Sequence, residues 1–94
     1  ILLNRGVRPI SDNTRIKLLR SLFDGLSKRE YEVAELVAAG LSNQEIAEHL
    51  FIETASVRRT VSRILARMHM RDRVQIAIAW YQSGLDQITG GKPA

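Results

Sequence analysis

The stretch from Ser42 to Arg67, SNQEIAEHLFIETASVRRTVSRILAR, reads as two short helices and the turn between them. Ser42 offers a hydroxyl at an N-cap, and Glu45 a carboxylate three residues on. That reciprocal pattern satisfies two backbone donors that a helix start would otherwise orphan. Leu41 and Ile46 flank it at the spacing of a hydrophobic staple, which fixes the angle at which the chain comes in. From Thr54 to Met68, the residues Val57, Val61, Ile64, Leu65 and Met68 recur so that a helical period gathers them on one stripe. A turn of about 100° per residue leaves Arg59, Ser62, Arg63 and Ala66 opposite that stripe, with Arg58 and Arg67 on its flanks. Between Thr54 and Arg73 there are six arginines and one acid, Asp72. A charged helix face is by default a solvated one and mixes signs. Here the single sign, the spacing and the capped helix in front turn the reading toward a face offered to a polyanion.

The flanking sequence extends the helical pattern. Ser11 caps a helix expected to reach about Phe23, with Arg15, Lys17 and Arg20 on its wet side, before Asp24-Gly25 ends it. Ser27-Lys28-Arg29-Glu30 repeats the capping-box spacing and opens a helix to about Ala39, with Val33, Leu36 and Val37 on one side. Gly40 closes that helix in a left-handed stop. His69 ends the helix begun at Thr54, since His enters the left-handed region more readily than most residues. Asp72-Arg73-Val74-Gln75 then offers a fourth cap of similar form, for a helix to about Ser83 before Gly84. The fold class expected is all-α: a compact four-helix helix-turn-helix domain preceded by a linker helix.

Composition bounds the function. Ninety-four residues with 45% apolar content allow one modest core. The net charge of +4 is unevenly laid out, with no Lys or Arg between Glu30 and Glu53 and arginines concentrated after them. The absence of cysteine excludes a disulfide framework and thiolate metal sites. His49 and His69 stand twenty residues apart and lack metal-site spacing. No catalytic residue, metal or cofactor is therefore expected, and the protein is expected to be cytoplasmic with no membrane association. Because it starts at Ile1 rather than Met, the chain is expected to be a piece of a longer protein.

Over Leu26 to Trp80 these residues closely resemble the LuxR-type, or NarL/FixJ-type, helix-turn-helix domain of bacterial response regulators. The resemblance is carried by Leu26-Ser27-Lys28-Arg29-Glu30, Glu32-Val33, Gly40-Leu41-Ser42-Asn43, Glu45-Ile46-Ala47, Leu50, Ser56-Val57-Arg58, Ile64-Leu65 and Arg73. It implies a DNA-binding effector domain that regulates transcription, with a recognition helix in the major groove. By position it implies base readout by Arg58, Arg59 and Ser62 and phosphate contact by Ser42 and Asn43, at a helix start that favours phosphate on physical grounds. Arg63 and Arg67 are expected at the phosphate backbone as well. Glu53 stands where the family usually has a Ser cap, which passes the cap to Thr54 or weakens it, and Thr60 stands where His is frequent.

The last helix has two apolar sides. Ile76, Ala79 and Trp80 form one, expected to be core. Val74, Ala77, Ile78 and Tyr81 form the other, which the resemblance implies is a dimer contact. Arg73 is set apart from DNA and expected to pair with Glu30 or Glu32. The division expected is 1–25 for the end of an upstream receiver and linker helix, 26–85 for the DNA-binding domain and 86–94 for a flexible tail. Implied partners are double-stranded DNA, a second copy of the chain on DNA, and RNA polymerase. The alternatives are the promoter-reading segment of a sigma factor, which normally ends soon after its recognition helix, an autoinducer-responsive regulator of the same type, and a protein-interaction bundle.

Overall fold

The computed structural model describes residues 12–87. They form α1 (Asp12–Asp24), α2 (Lys28–Ala38), α3 (Asn43–Leu50), α4 (Thr54–Met68) and α5 (Arg73–Gln82), followed by a 3₁₀ turn at Leu85–Gln87. The expected all-α architecture holds. The expected Ser11 cap, the segment before it and the part of the expected 86–94 tail beyond Gln87 lie outside the described residues.

Local chemistry sets the helix starts. Ser27 and Glu30 exchange both capping-box bonds, at 3.1 Å and 2.9 Å, and Ser42 and Glu45 do the same at 3.1 Å and 2.8 Å. The hydrogen bonds from the Ser42 backbone and side chain hold the Glu45 carboxyl below the usual glutamate range. This half of the cap therefore stabilises α3 at neutral pH and is lost as acid titrates Glu45 through its depressed pKa. Glu53 is the N-cap of α4 and makes no side-chain cap bond, so the cap is weakened rather than passed to Thr54. Asp72 caps α5 by accepting from the Val74 and Gln75 backbone. The fourth cap departs from the box form, because Gln75 Oε1 accepts from the Arg71 backbone at 2.6 Å instead of from Asp72.

The helices close around α2, which packs on α5 and α4, while α3 packs on α4. Phe23, Val33, Ile46, Val57, Ile64 and Ile76 are fully buried, so every helix contributes to one core. Trp80 receives Phe23 and Tyr31 edge-on, with ring centroids 5.2 Å and 5.3 Å away. Edge-to-face contacts add about 0.5–1.5 kcal/mol each beyond the area they bury. The last turn of α1 is thereby fastened to α5, and Arg20 adds a 2.7 Å bond from Nε to the Ser83 carbonyl. Thr60, outside the apolar stripe read from the sequence, is also buried, and its hydroxyl donates back to the Ser56 carbonyl at 2.9 Å. Leu65 is only half-buried.

Two non-glycine residues turn the chain in the left-handed region, both at helix ends. His69 does so as expected, at φ 54°. The other is Phe51, which closes α3 at φ 58° with its side chain 93% exposed. A left-handed conformation costs an L-residue about 1–2 kcal/mol, and the exposed ring buries too little to offset it. Phe51→Gly is expected to stabilise the domain by about 0.5–1 kcal/mol, after about 0.5–1 kcal/mol is lost to the flexibility of glycine in the unfolded chain. Urea denaturation measures this directly; a lowered midpoint at constant slope would show that the ring holds the turn.

Candidate nucleic-acid interface

The helix-turn-helix consists of α3, the turn Phe51-Ile52-Glu53 and α4. The turn is tight because the Ile52 backbone donates to the Ala47 carbonyl at 3.0 Å and Ile52 is partly buried against the core. With Val57, Val61, Ile64 and Met68 buried, the opposite side of α4 must face outward. Arg58, Arg59, Ser62 and Arg63 are all exposed there, and with Ala55 they line one open concavity that contains no acidic residue. The structure thus brings together the three candidates for base readout and one phosphate candidate. Arg59 is partly ordered by a 3.2 Å bond from Nη2 to Ser56 Oγ. Ala55 was missed in the sequence; its position one turn before Arg59 was the available signal.

The other phosphate candidates lie elsewhere. Ser42 and Asn43 sit at the start of α3, where the capping box consumes the backbone donors of Ser42 and Glu45. The Asn43 and Gln44 N–H groups have no partner among the described residues, which leaves two donors at the positive end of a helix. Arg67 does not belong to the open face. Its Nε pairs with Glu30 Oε2 at 3.2 Å, and the Glu30 side chain is only 6% exposed. The charge of Arg67 is taken up in holding a buried carboxylate whose other oxygen caps α2. Removing the guanidinium would strand that carboxylate.

Arg73 is also used inside the fold, but its expected partners are wrong. Glu30 is held by Arg67, and Glu32 pairs with Arg29 at 3.6 Å. Arg73 instead reaches Asn43 and the Leu41 carbonyl. On α5, Ile76, Ala79 and Trp80 are buried while Val74, Ile78 and Tyr81 are exposed and Ala77 is half-buried. The two apolar sides therefore separate as expected, one inside and one outside. The Tyr81 hydroxyl donates to the Ala38 carbonyl at 3.0 Å, which fixes its ring against the outer edge of α2. No helix of the described residues is long and apolar enough to cross a membrane.

Comparison with known proteins bears on this arrangement. The family model described as bacterial regulatory proteins, luxR family, matches residues 24–80. Over 73 residues the chain is 40% identical to proteins named response regulator protein VraR from Staphylococcus aureus, Staphylococcus saprophyticus and Staphylococcus epidermidis. The alignment covers 78% of this chain and 35% of each of those proteins, so the chain spans about a third of the relatives it matches.

Proposed function

The chain belongs to the luxR family of bacterial regulatory proteins, and from that premise we propose that it is the sequence-specific DNA-binding effector domain of a cytoplasmic response regulator that binds as a homodimer. Residues 26–85 form the binding domain, with the last turn of α1 packed onto it through Phe23, and residues 1–25 join it to an upstream receiver. The observation that carries the reading is the acid-free concavity on the outer side of α4. Arg58 and Arg59 have the planar, two-pronged donors that suit the O6 and N7 acceptors of guanine in the major groove. Ser62 serves as an adaptable donor or acceptor beside them, and Arg63 meets the backbone. Ser42 and Asn43 hold a phosphate at the start of α3, which sets the angle of α4 in the groove.

Selection of bound sequences from a random DNA pool, run with this domain, tests the proposal. A two-fold symmetric consensus with half-site centres one helical turn apart is expected, about 34–36 Å along the duplex. The same selection with Arg59→Ala is expected to relax one position in each half-site, by about 1–3 kcal/mol of discrimination. Enrichment of no sequence at all, or an Arg59→Ala consensus identical to that of the parent, would remove α4 as the reading helix.

A further inference from the structure

Arg73 opens α5 and is half-buried, away from the α4 concavity. Its Nη1 donates to Asn43 Oδ1 at 2.6 Å, and its Nη2 donates to the Leu41 carbonyl at 2.8 Å. One planar guanidinium therefore grips the two residues on either side of Ser42, the N-cap of α3. Such a fork matches a carboxylate, yet both acceptors here are neutral, and the ion pairs among the described residues involve other arginines. A cation beside the positive end of a helix gains nothing from the helix dipole. What this contact secures is orientation.

The amide of Asn43 has an acceptor end and a donor end, and its partners decide which is which. With Oδ1 held by Arg73, Nδ2 is left as the free donor. It joins the two unpartnered backbone N–H groups of Asn43 and Gln44 at the same helix start. We infer that Arg73 is a positioning residue for DNA binding. It fixes the Asn43 amide with its donor available to the phosphate, and it ties that donor to the first residue of α5. Without Arg73 the amide can turn over and present its oxygen to the phosphate, which repels it. The inference rests on the phosphate contact assigned above to Asn43.

The test is a double-mutant cycle on the intact chain, using the DNA site obtained by selection, with Asn43→Ala, Arg73→Gln and the two combined. Each single substitution is expected to weaken binding about tenfold, the effect of a lost hydrogen bond to a charged acceptor. The double variant is expected to bind no worse than either single one, because Arg73 acts only through Asn43. The dependence on salt in Arg73→Gln should match the parent, since no cation leaves the DNA surface. Additive losses with a salt slope shallower by about 0.9 per protomer would mean that Arg73 touches phosphate itself, and would overturn the inference. So would a lowered melting temperature with undiminished binding below it, the mark of a purely structural arginine. Should Arg73→Gln fail to fold, Arg73→Lys takes its place in the cycle, keeping the charge but losing the fork. A wild-type affinity for Asn43→Ala would instead sink the phosphate assignment, an outcome distinct from an active Asn43 with an inert Arg73.

Discussion

Raising monovalent salt from about 50 to about 200 mM is expected to weaken binding of this domain to its full site by about three orders of magnitude. Each phosphate neutralised contributes about −0.9 to the slope of log K against log salt. On each protomer Arg58, Arg59 and Arg63 are exposed on the open face of α4, whereas Arg67 is engaged by Glu30 and Arg73 by Asn43 and Leu41. Arg63 meets the backbone and Arg58 and Arg59 enter the negative potential of the groove, so three arginines from each of two protomers displace counterions equivalent to about six phosphates, for a slope of about −5. Titration at four or five salt concentrations measures it. A slope near zero would mean that this face does not meet DNA. Single substitutions sharpen the point, because Arg63→Ala should flatten the slope by about two for the dimer. Arg67→Ala should leave the slope nearly unchanged and instead lower stability by about 1–2 kcal/mol, allowing for the exposure of the arginine side of the pair.

The second large effect concerns assembly on DNA. Val74 is 61% exposed and Ile78 50% exposed on the side of α5 opposite the buried Ile76 and Trp80. An aspartate at either position stays in water in the monomer, so Val74→Asp and Ile78→Asp should retain the parent circular dichroism spectrum. They should also bind an isolated half-site within about twofold of the parent. In a dimer formed through this face the charge is buried without a partner, at a cost of several kcal/mol. Linking two binding events can raise affinity by about 10²–10⁴ without a new contact, and that gain is what the substitutions remove. Full-site affinity is therefore expected to fall by about a hundredfold or more, with loss of cooperativity. Cooperative binding that survives both substitutions would place the dimer contact on another surface. Tyr81, pinned to Ala38 by its hydroxyl, supplies a rigid edge to the same face.

The sequence by itself determined the features that depend on neighbours three or four residues away. The capping boxes at Ser27 and Ser42, the Thr54 to Met68 extent of α4, the left-handed stops at Gly40 and His69 and the two sides of α5 are all of this kind. Each rests on hydrogen bonds within one turn or on helical periodicity, and these are written in the local order of residues. The outward positions of Arg59, Ser62 and Arg63 were legible for the same reason, since a buried stripe dictates its opposite, with Arg58 on its flank. What only the tertiary structure decided is which arginines remain free. Arg58 and Arg67 both flank the apolar stripe on a helical wheel, and Arg67 is the one that is paired because α2 packs across α4 and brings Glu30 to it from 37 positions away. Arg73 finds Asn43 and Leu41 rather than Glu30 or Glu32 because the docking of α5 sets its reach. The burial of Phe23 and Thr60 and the left-handed Phe51 belong to the same class. Crossing angles follow from how whole helix surfaces interlock, with preferred values that scatter by about 15–20°. That scatter shifts a long side chain from one partner to another, and no local pattern encodes it.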